Sequence, residues 1–392
     1  MIVRIDGLTS KVSEFGSADV DNLKKQCGTY AGVCYMPDTY SVLESNVNGA
    51  VKRFGGTVRT GHHSITDHYF VNLVIEDAPK ILAMALNNVG MYATSEKSGR
   101  YTVMSNCSVE EKVLYDKWVE KLSILIKNKY SDMPDTMIKK LAQENARYFL
   151  SVFTPATTMV FSTNIRMINY LYDWCNKFPD GDNYFEKTLK SVLMDFASQI
   201  EPFVVEGLRD YKNGGFTLFD KQMGNRYWGL FDRFGFTYQT VYLASFVSLA
   251  QAHRHRTIDY SMYFDGVATQ FFVPEILETE ELRAEWWNDM QSVAHLIPQG
   301  TLVKVYEMGT YTNFLLKCTE RLCGRAQFET ARQTFKTYQS YRNFVMKNFA
   351  PDTVVYNAFY NESPTKATMI KDCKEPCYFG CGTGVDFDER LI

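Results

Sequence analysis

The sequence lacks an excess of charge of either sign: 42 Lys and Arg stand against 45 Asp and Glu in 392 residues, a formal net charge of -3. That balance excludes the one-signed basic surface of a protein that tracks nucleic acid. No apolar run is long enough to cross a bilayer. The start, Met1-Ile2-Val3-Arg4-Ile5, alternates like a short strand and has no basic region leading into a long apolar one. The chain therefore reads as cytoplasmic, with neither membrane nor nucleic acid among its partners. Nine cysteines is an odd number, and Cys27, Cys34, Cys107, Cys175, Cys318 and Cys323 are scattered, which argues against a secreted disulfide framework. What the chain has is apolar mass. With 45% hydrophobic and 15% aromatic residues it can bury a sizeable core, and its length corresponds to about two domains.

Histidine is also scarce, six in all, yet five lie in two short stretches. One is Gln251-Ala252-His253-Arg254-His255-Arg256, which directly follows the apolar run Tyr242 to Ala250. Four consecutive protonatable side chains beside a core are costly without an anion to meet them, and the overall charge favours a small phosphorylated ligand or nucleotide cofactor. The other stretch is Gly61-His62-His63-Ser64-Ile65-Thr66-Asp67-His68. Its imidazoles and carboxylate are possible zinc donors, but the spacing matches no familiar zinc helix, and the same groups can hydrogen-bond a cofactor. Cys373, Cys377 and Cys381 give three thiols where a closed zinc site needs a fourth ligand; otherwise they are small hydrophobes in a bent tail.

Ser108-Val109-Glu110-Glu111 is a capping-box pattern that predicts a helix to about Lys129, and Asp132-Met133-Pro134 starts another through Phe149. A further helix is expected after Thr154-Pro155. Tyr69 to Ile75 reads as a strand and Pro79 to Leu86 as a helix begun at a proline. The same pair recurs as Arg233 to Tyr242 and the apolar run to Ala250. Asp67 against Asp232 and Asn88 against Arg254 give offsets of 165 and 166 residues, read as a degenerate internal duplication joined between about Ile200 and Asn213.

Gly61-His62-x-Ser64-x-x-Asp67-His68, a strand, an apolar helix, then Glu96, Ser98, Gly99, Arg100 and Tyr101 resembles the flavin-dependent thymidylate synthases of the ThyX type. That family joins G-H-x-[ST]-x-x-[ED]-H to Q-x-x-R-H-R and E-x-S-x-R-[YF]. Here the pieces are divided between the halves. The first half reads Asn88-Val89-Gly90 where R-H-R belongs; the second has Gln251, Arg254, His255 and Arg256 but Met262 and Phe264 where the glutamate and serine belong. Asn164-Ile165-Arg166 with Asn169 is similar to the family's flavin-contacting helix, and Arg321, followed by Ala326-Gln327-Phe328-Glu329, to its substrate-activating arginine and A-Q-x-E.

The resemblance implies an α+β fold of two similar lobes, residues 1–200 and 201–392, each a small antiparallel sheet with long helices. It implies reductive methylation of dUMP to dTMP, with methylenetetrahydrofolate as carbon donor, NADPH as reductant and FAD as hydride carrier, in a homodimer that stands in for a tetramer. Glu96, Ser98, Gly99, Arg100, Gln251 and Arg254 would bind dUMP. His62, Ser64, Asp67, Asn164, Arg166, Asn169, Arg254, His255 and Arg256 would hold FAD, and Arg321 would activate the uracil, with no metal. Two other readings share these residues: an enzyme that makes hydroxymethyl-dUMP, and a nucleotide- or flavin-binding descendant without turnover. Singly, Asn164 and Arg166 could also cap or pair a helix, and Arg321 could sit on a solvated face.

Overall fold

A computed structural model describes residues 17–60, 63–88, 92–99, 106–208, 218–219, 237–255, 257–361, 378–379 and 390–392. The expected N-terminal strand, His62, Arg100, Arg256, Asp232 and the three tail cysteines lie outside them.

Helices α1 (Ser17–Tyr35), α2 (Tyr40–Ser45) and α3 (Val47–Arg59) come first. They lead to β1 (Phe70–Pro79), the seven-residue helix α4 (Lys80–Leu86) and β2 (Tyr92–Glu96). Then come α5 (Val109–Lys129), α6 (Asp135–Ala146), β3 (Pro155–Asn164), α7 (Ile165–Lys177) and α8 (Tyr184–Ile200). The second half runs β4 (Thr237–Ser245), α9 (Phe246–Ala252), β5 (Asp259–Tyr263), α10 (Glu280–Ser292), β6 (Leu302–Thr310) and α11 (Tyr311–Arg321). It closes with α12 (Phe328–Asn348) and α13 (Val354–Asn361). The fold is α+β, with two three-stranded antiparallel sheets ordered β1-β3-β2 and β4-β6-β5.

Local chemistry accounts for most boundaries. The Ser108 hydroxyl accepts from Glu111 N at 3.2 Å while the Glu111 carboxylate accepts from Ser108 N at 2.7 Å, the reciprocal capping box. The segment after Thr154 departs from expectation: it forms strand β3, and its helix begins only at Ile165. Pro155 occupies the first strand position, where its missing N–H costs no ladder bond, and Thr158, Val160, Phe161 and Thr163 favour the pleated state. In the second half the strand runs past Tyr242 to Ser245. The Ser245 hydroxyl caps the next helix by accepting from Ser248 N, which places the helix start at Phe246.

The described residues form two compact units that interleave along the chain. One comprises described residues up to Ala78, those between Val89 and Glu96, and those from Thr158 to Gly215; it holds the first sheet, α1 to α3, α7 and α8. In it β2 pairs with β3 from Tyr92 opposite Thr163 to Glu96 opposite Met159.

The second unit comprises Pro79–Asn88, Lys97–Thr157 and the described residues from Phe216 onward. There β4 pairs along β6 from Thr237 opposite Thr310 to Ser245 opposite Leu302, and β5 flanks the other edge of β6. Its main core centres on Trp118, whose ring meets Trp286 edge-on at 4.7 Å, with Phe149 against both. Backbone bonds in this unit come in pairs that exchange the two halves of the sequence. Val152 N donates to Ile297 O and Gln299 N to Leu150 O, around the bridge of Ser151 to Pro298; Ile81 N donates to Val152 O and Val247 N to Gln299 O. The order strand, seven-residue helix, five-residue strand, then strand and helix is thus repeated, down to matching hydrogen bonds.

Candidate functional site

In the first unit the candidate residues gather around Asp67. The Arg166 guanidinium reaches the Asp67 carboxylate, Nη1 to Oδ2, at 3.3 Å, both partly buried. Burial raises the Asp67 carboxyl, and Arg166 opposes that shift. Burial, then the charge of Asp67, pushes the neighbouring Cys27 thiol up to about 12, so this cysteine is inert as a nucleophile. Ser64 is exposed on the short turn of helix His63–His68, where His68 packs against the Tyr30 ring at 5.0 Å and a His63 ring nitrogen lies 2.9 Å from Val58 O.

Two asparagines from the sequence reading have structural duties. The Asn164 side chain caps α7, accepting from Met167 N at 2.8 Å, and is fully buried. Asn169 holds the Val205 peptide at both ends, donating to Val205 O at 2.7 Å and accepting from Val205 N at 3.1 Å. Glu96 ends β2 opposite Met159.

The second unit contains Ser98, Gly99 and the cluster at the end of α9. Gln251 accepts from the Arg321 guanidinium at its backbone carbonyl, 3.0 Å, and from Gln327 N at its side-chain oxygen, 3.3 Å. His253 faces inward, with ring nitrogens at 2.9 Å from Leu249 O and 3.1 Å from Met84 O. It is therefore a structural member of the cluster, while Arg254 beside it is exposed. His255 is only 9% exposed, and its Nε2 has no hydrogen-bond partner among the described residues. Burial, then the cations Arg321 and Lys317, lowers His255 to about 3, so the ring is neutral near pH 7.

Beneath these groups lies a feature that the sequence reading missed. Glu307 on β6 is 0% exposed and accepts three bonds of 2.6 Å, from Tyr238 OH, Tyr242 OH and the Lys317 ammonium. Lys317 is 1% exposed and lies 5.5 Å over the Tyr260 ring. Lys317 precedes Arg321 by one turn of α11, so the ion pair and the candidate catalytic arginine share a helix face. The signal was available in Val303-Lys304-Val305-Tyr306-Glu307, whose period of two puts a carboxylate in line with core valines. Glu329 of the A-Q-x-E segment is likewise structural: it accepts from Ser245 N, the Ser245 hydroxyl and Tyr148 OH.

No group of three His, Cys, Asp or Glu placed to hold a metal occurs among the described residues. No described helix is long and apolar enough to cross a membrane.

The family model of the thymidylate synthase complementing protein matches residues 19–174. That segment is similar to the thymidylate synthase complementing protein family. No curated protein matches the chain. The family segment runs from α1 into α7 and contains Asp67, Glu96, Ser98, Gly99, Asn164, Arg166 and Asn169. It stops before Gln251, Arg254, His255 and Arg321, which lie in the half that repeats its strand and helix order. The match gives the segment a thymidylate synthase type, with dUMP the substrate that this type implies.

Proposed function

We propose that the chain is a flavin-dependent thymidylate synthase that methylates dUMP reductively to dTMP, using methylenetetrahydrofolate as carbon donor and FAD reduced by NADPH. The observation that carries this reading is the division of labour between the halves. The family segment supplies Asp67 with Arg166, Glu96 and Ser98, and the repeated half supplies Gln251, Arg254, His255 and Arg321.

The exposed Arg254 guanidinium suits a nucleotide phosphate, which a planar fork pairs with bidentately. Ser98 adds a hydroxyl donor, Glu96 an acceptor for ribose, and Gly99 a backbone without a side chain. Arg321, steadied on the Gln251 carbonyl, faces the pyrimidine carbonyl edge and stabilises negative charge as C5 becomes nucleophilic. FAD, when bound, supplies the hydride, which side chains cannot. Groups in each unit suit it separately: in the second the buried His255 Nε2 offers a neutral ring nitrogen, and in the first Arg166, Ser64 and Asp67 offer a cation and polar groups. Asn164 and Asn169 act there by fixing α7, whose first turn bears Arg166. His62, Arg100 and Arg256 keep the roles that the resemblance gives them, and a homodimer of two-lobed chains completes two composite sites.

The test is the absorbance spectrum of the purified protein, then turnover of dUMP with methylenetetrahydrofolate and NADPH, with the product read by mass. A flavin spectrum and a methylated product are expected; a colourless protein that neither binds FAD nor turns over dUMP refutes the reading. Mass in solution should give a dimer, and a fully active monomer refutes the composite site.

A further inference from the structure

We infer that Arg390 is a positioning residue for Arg321, acting through the peptide group that joins Ala326 to Gln327. This rests on the reading of Arg321 as the group that faces the pyrimidine.

Arg390 is 3% exposed although it lies 69 residues beyond Arg321 in the sequence. Its guanidinium is held between two aromatic rings, 5.1 Å from the centre of Phe328 and 4.5 Å from that of Phe379. Such stacking offsets part of the cost of burying the charge. Its neighbours are fixed as well: Leu391 N donates to Tyr130 OH at 3.1 Å, and Leu391 O accepts from Ile276 N at 3.1 Å.

From this anchored position Arg390 Nη2 donates to Ala326 O at 2.8 Å. The N–H of that same peptide group belongs to Gln327 and donates to the Gln251 side-chain oxygen at 3.3 Å. The Gln251 backbone carbonyl accepts from Arg321 Nη2 at 3.0 Å. One peptide plane is therefore gripped at both ends, and its far grip is the residue on which Arg321 rests. Arg147 and Tyr148 hold the Gln327 side chain separately, so Arg390 governs the tilt of the plane and not the location of the turn. A tilt that withdraws the N–H lets the Gln251 side chain rotate, and the carbonyl under Arg321 loses its fixed direction.

The experiment compares Arg390→Lys, Gln251→Leu and the double variant in the full chain, by amide hydrogen exchange at Gln327 and dUMP affinity by calorimetry. Lysine keeps the charge and loses the planar stack. Arg390→Lys should speed exchange at Gln327 and weaken dUMP binding about tenfold, and should add nothing when Gln251 is already leucine. Additive losses, or faster exchange with unchanged dUMP affinity, overturn the relay to Arg321. Unchanged exchange overturns the clamp itself, whatever dUMP does. A wild-type protein that binds no dUMP, with exchange still responding, overturns the reading of Arg321 alone and leaves the clamp standing. Should Arg390→Lys not fold, Phe379→Leu, which removes one face of the stack, is measured in its place.

Discussion

Replacing Lys317 with methionine tests whether the carboxylate beneath the candidate site needs its ammonium. Glu307 and Lys317 are 0% and 1% exposed, so neither solvent nor salt can take the place of the missing partner. Breaking a buried pair from one side costs about 3–5 kcal/mol because the remaining charge stays desolvated. Here Tyr238 OH and Tyr242 OH still donate to Glu307, which places the expected loss at the low end, about 3 kcal/mol. Adding Glu307→Gln to Lys317→Met removes the charge, keeps an acceptor oxygen for one tyrosine hydroxyl and turns an amide NH2 toward the other, whose hydroxyl oxygen can accept from it. The double variant should recover to within about 1 kcal/mol of wild type. Urea titration followed by tryptophan fluorescence measures all three proteins. If Lys317→Met unfolds within about 0.5 kcal/mol of wild type, the ammonium is not compensating a buried charge and the reasoning fails. If the double variant is worse than the single, Glu307 serves something other than this pair.

His255→Gln should flatten the acid limb of the stability curve. The wild-type ring is held near 3 in the fold against an ordinary 6.5, so its contribution is complete above pH 6.5 and is lost as pH falls from there toward 3. The slope difference in that window approaches about 1.4 kcal/mol per pH unit, and parallel curves for the two proteins contradict it. Asn169→Leu removes both bonds to the Val205 peptide and should cost about 2 kcal/mol, with faster exchange of the Val205 amide; unaltered exchange at Val205 counts against that role.

What could be read from the sequence depended on how far away each residue's partner lies. The α5 boundary was legible because Ser108 and Glu111 cap each other within one turn. The helix after Pro79 and the repetition of a strand and helix in the second half were legible through local apolar patterning. Strand β3 was misread because a Thr-Pro pair can open either element; the β-branched residues beyond Pro155, together with pairing to β2, decide for strand. The cationic cluster at Gln251 to Arg256 was visible as charge, but the inward turn of His253 was not, since Met84 O lies 169 residues away. Glu307 needs Tyr238, Tyr242 and Lys317 from two other elements, and Arg390 needs two rings and a peptide group. The alternation around Glu307 marks its burial but not its partners, and no local pattern marks those of Arg390.

The bridge of Ser151 to Pro298 lies where the paired hydrogen bonds exchange the two halves. On the axis of a true homodimer a residue meets its own copy, so any substitution there is made on both sides at once. Two different residues can face each other only in a chain that contains both. Ser151 has an amide hydrogen, and Glu111 on α5 accepts it at 2.6 Å. The second half has no helix between β5 and α10, hence no such glutamate, and its facing residue is proline, which has no amide hydrogen to satisfy. Covalent linkage thus lets one half discard a helix and a hydrogen-bond donor together, a pair of losses that identical subunits could make only in duplicate.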